Sequence, residues 1–503
     1  LLFRSLSIAG VLSRLLFALT PSLLVSLSRR EPPQLSPDDA SAITRATVAL
    51  GPTAIKLGQA AANRPDIVGP LLADDLRRLH DSVDAFPTSL AREVIAADLP
   101  AERADALLAA LPDSPVAAAS LGQVYRLSLP SEGVLVDTAV KVLRPTALDL
   151  VSADEALARG LARVGEGLTS LQGERLLKPA LVEGVDEFFS RMREEMDLAH
   201  EAENIEKFTE LYGPGGRAGR RLRRRRGGGE ILLPRVLPEW SGGRVLCMSW
   251  VEGEPLLQSG VATMKKSELP LLRFGIAATL DQMLGEGLMH ADPHTGNLLR
   301  GKQPEAEGRG MWARWNKRPQ ERDPSVPRLA YLDFGLVSEV PISVREAIVC
   351  AVVLLLFERD VGGVASLFSD LMLLSPEQLS ASLPQLQAAL EALADSVLTP
   401  QAQGLPTLNF QSLIAQLALI APQFAFQLPP YFLNNARALG TLEGMARSAD
   451  PGFDILKASH SLKLLMWTLV RLTHDQDDKF DPRRVRRLVE ETAKVLIATL
   501  PGL

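Results

Sequence analysis

The chain is poor in cysteine and in aromatic residues and carries no excess of positive charge. Its two cysteines, Cys247 and Cys350, exclude a disulfide framework and favour a reducing compartment. A net charge of −6 argues against a general nucleic-acid surface, so no nucleic-acid partner is expected. Because only 5% of the 503 residues are aromatic, the 46% hydrophobic content must build a mainly aliphatic core, large enough for two lobes.

Long apolar runs are also missing. Leu15–Leu27 has only thirteen residues, too few to span a bilayer of ~30 Å. It is predicted to be an amphipathic helix that lies on a membrane, or else a helix that caps the core. Ala347–Phe357 is shorter still and precedes charged residues, which favours a buried helix. Since the sequence begins at Leu1 and not at Met, we expect a trimmed N-terminus and an unseen targeting peptide.

The most informative motif occupies residues 290–297, HADPHTGN, and 36 positions beyond Asn297 lies Asp333 of a DFG triplet. In kinase-like folds an Asp, an Asn five residues later and a strand ending in Asp-Phe-Gly place a carboxylate and two magnesium ligands around a triphosphate. Magnesium prefers such oxygen ligands. The pattern predicts Asp292 as the catalytic carboxylate, Asn297 and Asp333 as Mg²⁺ ligands, and ATP as the nucleotide.

The same stretch also has the spacing of a zinc site, because His290 and His294 are four residues apart. Pro293 and Gly296 favour a loop over a helix, and the stretch lacks both a third ligand and the glutamate of the helical HExxH arrangement. The zinc interpretation is therefore disfavoured.

A lysine upstream fits the kinase pattern. Lys141 lies in the short β-type run TAVKV, where kinase-like folds keep the lysine that contacts the α- and β-phosphates. A glutamate on the next long helix should pair with it, and Glu201 is the predicted partner. An isolated lysine of this kind is usually an exposed edge-strand residue, but this one precedes the other two motifs in the expected order.

An alanine-rich stretch, PVAAASLGQVY, stands where a protein kinase carries a glycine-rich loop. Alanine permits close backbone approach but restricts positive φ, which stiffens the loop. A small-residue turn before a strand remains the other interpretation. The predicted nucleotide-binding residues here are Ala117, Ala118, Ala119, Ser120, Gly122, Gln123 and Val124.

Together with GPTAIKLGQ at residues 51–59 and a Glu-x-Asp pair, these motifs resemble the UbiB (aarF-domain) family of atypical kinase-like proteins, and its plastid-type members in plants and algae. The resemblance runs from about residue 50 to about residue 454. It implies that Lys56 and Gln59 lie over the active site in place of a protein substrate, and that Glu195 and Asp197 engage that lysine. MSWVEG, with Met248 and Trp250, resembles the family's nucleotide-binding hinge, and residues 428–444 resemble its C-terminal region.

The resemblance implies an atypical kinase or ATPase that supports the biosynthesis or homeostasis of prenylquinones such as ubiquinone, plastoquinone or tocopherol. Its expected partners are ATP, a prenyl lipid or quinone, and a peripheral membrane or lipid-droplet surface. The expected location is a plastoglobule or thylakoid of the chloroplast, with the mitochondrion as the alternative. A protein serine/threonine kinase remains open, although no Ala-Pro-Glu element follows Asp333, and so does a nucleotide-binding scaffold for lipid enzymes.

The predicted fold is α+β: a bilobal protein-kinase-like fold with a family-specific N-terminal helical extension and a mainly helical C-lobe. Residues 213–229 hold seven arginines among glycines and are interpreted as a disordered, solvated insertion in the N-lobe. Apolar spacing predicts helices at Phe410–Ile420 and Leu456–Val470 that pack on the C-lobe. The predicted segments are an apolar extension at 1–45, a helical segment at 46–110, an N-lobe at 111–255, a C-lobe at 256–400 with an insert at 301–328, and a helical extension at 401–503.

Overall fold

The computed structural model describes residues 1–29, 35–62, 68–80, 84–171, 181–224, 227–256, 265–291, 296–302, 326–355, 359–399, 407–408, 410–424, 426 and 429–453. These residues form two compact units. The first contains the described parts of 1–206 and 234–250, and the second contains the described parts of 207–233 and all described residues from 251 onward. Residues 207–233, which were predicted in the N-lobe, therefore group with the second unit.

The first unit opens with helices, several of which begin at proline, the residue whose fixed φ suits the first helical position. Ser36 and Asp39 form a reciprocal capping box at the start of one of them, with Ser36 N donating to Asp39 Oδ2 at 2.9 Å. The helices are α1 (Leu2–Arg29), α2 (Pro37–Leu50), α3 (Pro52–Ala62), α4 (Pro70–Leu76), a 3₁₀ turn (Arg77–His80), α5 (Thr88–Asp98) and α6 (Ala101–Ala110).

Helix α1 corrects the expectation of an apolar segment too short to span a membrane. It is continuous over Leu2–Arg29, and Leu2–Ser22 is long and apolar enough to cross a bilayer by length and composition alone. The serines and Gly10 that interrupt the apolar residues do not stop the helix. A half-buried stripe that includes Ile8 and Val11 faces the unit, which α1 meets through α2 and the later helix at residues 147–171.

An antiparallel sheet forms the centre of the first unit, in the order β1 (Ala117–Ala118), β2 (Gly122–Ser131), β3 (Val134–Leu143) and β5 (Val245–Ser249). A tight turn joins β2 to β3 through Glu132 and Gly133, which both have positive φ. Tyr125, Val140 and Trp240 are at most 1% exposed and anchor the core against α5 and α6. Helices α7 (Ala147–Leu171), α8 (Leu181–Met196) and α9 (Leu198–Tyr212) follow β3, and a 3₁₀ turn (Pro238–Trp240) precedes β5.

The second unit contains mostly helices, a ribbon of β7 (Leu288–His290) and β10 (Val337–Glu339), and a small mixed sheet. The strand order of this sheet is β4 (Glu230–Leu232), β9 (Arg328–Tyr331), β8 (Leu298–Gly301) and β6 (Gly253–Pro255). A π-helical turn continues α11 and ends at Gly287, whose φ of 75° is left-handed. The elements are α10 (Arg217–Arg224), β4 (Glu230–Leu232), β6 (Gly253–Pro255), a 3₁₀ turn (Lys266–Glu268), α11 (Leu269–Leu280), the π turn (Asp281–Glu286), β7 (Leu288–His290), β8 (Leu298–Gly301), β9 (Arg328–Tyr331), β10 (Val337–Glu339), α12 (Ile342–Val353), α13 (Val361–Ser366), α14 (Pro376–Val397), β11 (Leu398–Thr399), β12 (Thr407–Leu408), α15 (Phe410–Phe424) and α16 (Pro430–Ala449).

The arginine-rich stretch was interpreted as a disordered insertion, which is wrong for residues 217–224 because they form α10. Arg221 donates to both carboxylate oxygens of Asp281, at 2.9 and 2.6 Å, and to Glu286 at 2.9 Å. Asp281 is fully buried and needs a counter-charge, so the pairing orders the helix. Arg225 and Arg226 lie outside the described residues.

The predicted helices of the C-terminal half have three outcomes. Most of Ala347–Phe357 lies in α12, where Ala347 and Val349 are fully buried. Phe410–Ile420 lies within α15, which packs against α14 and α16. Leu456–Val470, and most of the 301–328 insert, fall outside the described residues.

Candidate active site

In the first unit the structure brings Lys141 and Glu201 together. Strand β3 is flanked by β2 and β5, with Lys141 opposite Val124 on one side and Leu246 on the other. Lys141 Nζ lies 3.0 and 2.7 Å from the two carboxylate oxygens of Glu201. The Glu201 residue is 0% exposed, so its charge is stable there only with a partner.

Helix α9 presents Glu201 because Asp197 starts it. Asp197 separates α8 from α9 and caps α9, with its Oδ1 accepting a hydrogen bond from His200 N at 3.0 Å. The Asp197 carbonyl accepts the first helical hydrogen bond from Glu201 N, also at 3.0 Å. The structure therefore gives Asp197 a capping contact, whereas the resemblance implies that it engages Lys56.

The K-x-G-Q segment of α3 makes three different contacts within the first unit. Lys56 Nζ forms an ion pair with Glu195, and both side chains are about one-fifth exposed. A Cβ on Gly58 would lie 2.6 Å from Leu79 Cδ1, so only glycine allows α3 this close approach. Gln59 Nε2 donates to the carbonyl of Leu79 at 2.8 Å. Helix α3, which carries Lys56, is thus held in place by the packing at Gly58 and by the hydrogen bond of Gln59.

The alanine-rich loop is a tight hairpin at the edge of the sheet. Ala117 pairs with Val124 and Ala118 with Gln123, and Ala119 N donates to Gly122 O at 2.8 Å. A Cβ on Gly122 would lie 2.7 Å from Val142 O, which explains the glycine at this position. The loop is therefore an ordered part of the sheet.

Gln123 supports the loop from the interior of the unit. It is 1% exposed, and its Oε1 accepts a hydrogen bond from Phe86 N at 3.1 Å. Its Nε2 donates to the Tyr125 hydroxyl. Its side chain is thus engaged in buried hydrogen bonds, and the assignment of Gln123 as a nucleotide-binding residue stays a prediction.

The hinge-like segment begins in the last two residues of β5 and continues beyond the strand. Met248 pairs with Ala139 of β3, and Trp250 N donates to Asp137 O at 2.8 Å. The guanidinium carbon of Arg126 lies 4.5 Å from the Trp250 ring centroid. Both predicted hinge residues thus stand at the end of the same sheet that carries Lys141.

In the second unit the antiparallel pairing of β8 with β9 places Asn297 and Asp333 at the same end of the two strands. Leu298 pairs with Tyr331, so Asn297 stands opposite Leu332, whose N–H donates to Asn297 O at 3.1 Å. Asp333 follows directly, and its Oδ1 accepts a hydrogen bond from Gly335 N at 3.0 Å. Asp292 lies outside the described residues.

An aromatic cluster surrounds Phe334 of the same triplet. Phe334 is fully buried, with its ring edge-to-face against Phe208 at 5.0 Å and against His290 at 5.2 Å. The His290 ring also lies 5.3 Å from Tyr331, whose pKa burial raises to about 12. Sequence reasoning missed Phe208, although it follows Glu201 by seven residues and so lies near it in angle around α9.

Asn297 and Asp333 fit Mg²⁺ by the chemistry of their side chains. Both are half-buried, and both carry the oxygen atoms that hard cations prefer. A bound Mg²⁺ would neutralise charge on phosphate oxygens. Among the described residues no group of three or more His, Cys, Asp or Glu side chains could hold a metal ion.

A strand lysine paired with a buried helix glutamate in one unit, and an Asn strand next to an Asp-Phe-Gly turn in the other, define a protein-kinase-like fold. The ABC1 atypical kinase-like domain matches residues 78–368, more than half of the chain. The chain therefore belongs to the ABC1 atypical kinase-like family, in agreement with the UbiB/aarF resemblance.

Several curated proteins are similar to this chain. An uncharacterized Synechocystis protein, sll0005, is 32% identical over 95% of this chain and 62% of its own length. Two proteins from Arabidopsis thaliana follow: ACTIVITY OF BC1 COMPLEX KINASE 3, chloroplastic, at 31% identity over 88% of this chain and 57% of that protein, and an uncharacterized chloroplastic aarF domain-containing protein kinase, at 32% over 84% and 52%. The chain spans between about half and two thirds of the length of these relatives.

A solved structure offers a weaker likeness. The Mycobacterium tuberculosis complex of Rv3197 with erythromycin aligns at a TM-score of 0.39 and 20% identity, over 78% of this chain and 91% of that chain. A likeness at this level carries no functional argument.

Proposed function

We propose that the protein binds ATP with Mg²⁺ and transfers or hydrolyses its terminal phosphoryl group, as an ATPase or as a kinase for a small or lipidic acceptor. The observation that carries this proposal is the bidentate Lys141–Glu201 pair, because this ion pair must be in place for a kinase-like lysine to hold phosphates. Asn297 and Asp333 are the proposed Mg²⁺ ligands, and Asp292 is the proposed carboxylate beside the attacking hydroxyl or water.

The Lys56–Glu195 pair supports the choice of acceptor. In the family this segment lies where a peptide substrate would bind, and here α3 is fixed by Gly58 packing and by Gln59. A helix fixed in this way disfavours large protein substrates and leaves small or lipidic acceptors and water. The proposed process is prenylquinone biosynthesis or homeostasis at plastoglobules or thylakoids. The chloroplastic names of the Arabidopsis relatives support the chloroplast as the compartment.

Helix α1 supports a peripheral membrane contact for the same activity. Its outward face carries large apolar side chains, with Phe3 89% and Phe17 83% exposed. Its other face is tied to the unit, since Arg4 binds both oxygens of Asp154 and the Leu50 carbonyl. Insertion as a span would break these contacts, whereas lying on a lipid surface keeps them and buries the apolar face.

The test is Mg²⁺-dependent ATP hydrolysis by the purified chain, with and without vesicles that contain a prenylquinone, following phosphate release and protein labelling together. We expect lipid-stimulated phosphate release that Asp333→Asn abolishes. The matched control is Asp395→Asn, which removes an exposed carboxylate paired with Arg359 in the same unit and should leave the rate unchanged. Labelling of added proteins would favour a protein kinase, and nucleotide binding without turnover would favour a scaffold. Retained hydrolysis in Asp333→Asn would contradict the assigned site.

A further inference from the structure

Arg144 donates hydrogen bonds to the backbone of the alanine-rich loop, although neither the kinase motifs nor the family resemblance single it out. It follows the last residue of β3, and its guanidinium donates to three backbone carbonyls in two segments. Nη2 donates to Ala119 O at 3.2 Å and to Asp84 O at 3.0 Å, and Nε donates to Ser120 O at 3.3 Å. Its own N–H donates to Leu121 O at 2.7 Å. One residue thus engages three consecutive carbonyls of the turn.

The segment before α5 completes this support. The ring of Phe86 packs against the guanidinium, whose carbon lies 5.1 Å from the ring centroid. Phe86 N is in turn held by Gln123 at the start of β2. Burial lowers the pKa of Arg144, and the charge of Asp84 opposes this shift. An arginine guanidinium nevertheless stays charged in proteins. Charge-assisted hydrogen bonds of this kind are stronger than neutral ones.

The contacts bear on phosphate binding because a carbonyl oxygen is the negative end of a peptide dipole. A loop that covers a triphosphate must keep such oxygens away from the phosphate charge. Ala119 and Ser120 have their carbonyls bound to Arg144, which fixes the orientation of both peptide planes. A loop fixed before binding also loses less conformational entropy when the nucleotide arrives.

We propose that Arg144 is a positioning residue for the triphosphate: it holds the alanine-rich loop, residues 115–122, in one conformation with the Ala119 and Ser120 carbonyls engaged behind it. This inference rests on the proposed function, because it takes the nucleotide phosphates to bind at this loop. Arg144 acts through the loop and does not itself touch the phosphates.

The test compares Arg144→Met and Arg144→Lys with wild type in the full chain. Dissociation constants are measured for Mg²⁺–ATP and for adenosine, which lacks phosphates, together with amide hydrogen exchange of residues 116–121. The matched control is Arg92→Met. Arg92 is a half-buried arginine of the same unit that also donates to two backbone carbonyls, Leu108 O at 2.9 Å and Leu111 O at 3.0 Å, but does not contact the loop.

We expect Arg144→Met to bind Mg²⁺–ATP about tenfold more weakly, to bind adenosine within about twofold of wild type, and to exchange the loop amides faster. Arg144→Lys should have an intermediate affinity for Mg²⁺–ATP, because an ammonium group cannot reproduce the planar guanidinium fork. This variant also provides the comparison with wild type if Arg144→Met fails to fold. Arg92→Met should lower thermal stability without changing either dissociation constant.

The experiment distinguishes a failure of the proposed function from a failure of the proposed role of Arg144. If wild type binds no Mg²⁺–ATP, the proposed function fails. If wild type binds and Arg144→Met binds Mg²⁺–ATP equally well, or loses adenosine to the same extent, the proposed function stands and the role of Arg144 is overturned.

Discussion

At the scale of single residues, a buried carboxylate determines what Lys141 can do. Glu201 is inaccessible to solvent and holds the ammonium group with both oxygens. Desolvation makes a lone charge at this position costly, so each partner stabilises the other. The pair therefore serves both the fold of the first unit and the proposed contact with phosphate.

Lys141→Met should abolish Mg²⁺–ATP binding and also lower stability by about 3–5 kcal/mol, because it leaves Glu201 buried without its counter-charge. Lys141→Met/Glu201→Gln should regain part of the stability and none of the binding. Binding is measured by calorimetry and stability by urea unfolding. The control is Lys302→Met, which removes an exposed lysine paired with Glu254 and should change neither quantity. Normal nucleotide affinity in Lys141→Met would contradict the assigned site.

Gly58→Ala tests the packing behind Lys56. The new methyl group would meet Leu79 Cδ1 at 2.6 Å and Thr47 Cγ2 at 3.0 Å, so we expect a loss of about 1–3 kcal/mol in unfolding free energy. Gly184→Ala is the matched control, since Gly184 lies in a helix of the same unit and no atom of the described residues lies within 4 Å of a Cβ added there. This variant should be neutral or slightly stabilising. Equal stability of the two variants would show that Leu79 and Thr47 do not pack closely against α3 at Gly58.

Spacing and residue type predicted some single residues and missed others. Glu201 could be predicted as the partner of Lys141 because a kinase-like fold needs a glutamate on the next long helix. The contacts of Gln123 and Arg144 could not, since they include backbone groups that only the folded chain brings near. The capping contact of Asp197 was missed for a different reason, because its partner, His200 N, is only three residues away. A capping aspartate and a lysine-binding aspartate look identical in a sequence.

At the scale of elements, the arginine-rich helix α10 shows how composition misleads. Four consecutive arginines predict a solvated segment, but the ordering contact is made by Arg221 to Asp281 and Glu286, sixty and more residues away. For helix α1 the composition led to the opposite error. Its scattered serines favoured only a short apolar segment, whereas Leu2–Arg29 forms one continuous helix. Strands with motifs were easier to predict, since the lysine strand and the DFG strand each carry alternating or continuous apolar residues.

Arg221→Met should destabilise the second unit by about 3–5 kcal/mol, because Asp281 is 0% and Glu286 4% exposed by side chain and both lose a counter-charge. Arg220→Met, one residue earlier and exposed, should stay within about 0.5–1 kcal/mol of wild type. Urea unfolding of both variants gives the comparison. Similar stabilities would mean that α10 does not depend on its buried ion pairs.

At the scale of the whole molecule, buried tyrosines limit stability at alkaline pH. Burial raises the pKa of Tyr331 to about 12 and that of Tyr212 well above 10, partly through nearby Asp281 in the latter case. Above about pH 10 the unfolded chain releases these protons first, so the unfolding free energy falls as pH rises towards 12, by about 2–3 kcal/mol for Tyr331 alone. Tyr331→Phe should remove its share of this slope, measured by urea unfolding at several pH values between 8 and 11.

The proposed lipid contact of helix α1 has its own test. Phe3→Ser and Phe17→Ser should each weaken binding to anionic vesicles by about tenfold, because each removes a buried phenyl group from the membrane-bound state. Leu135→Ser is the control, since Leu135 is 72% exposed on the β2–β3 hairpin of the same unit. Vesicle co-sedimentation measures all three. Unchanged binding in both phenylalanine variants would exclude α1 as the contact surface.

The short stretch from Glu195 to Glu201 has a consequence for control of the proposed activity. One glutamate binds Lys56 at the end of α8, the other binds Lys141 in α9, and only Asp197 separates the two helices. A displacement of this joint would change both ion pairs together. If a ligand that binds Lys141 displaces the joint, the hold of Glu195 on Lys56 changes too, and by thermodynamic reciprocity a molecule that displaces Lys56 would then change the affinity for that ligand by the same factor. Lys56 and Lys141, which lie far apart in the sequence, are thus both paired with glutamates of this one short stretch.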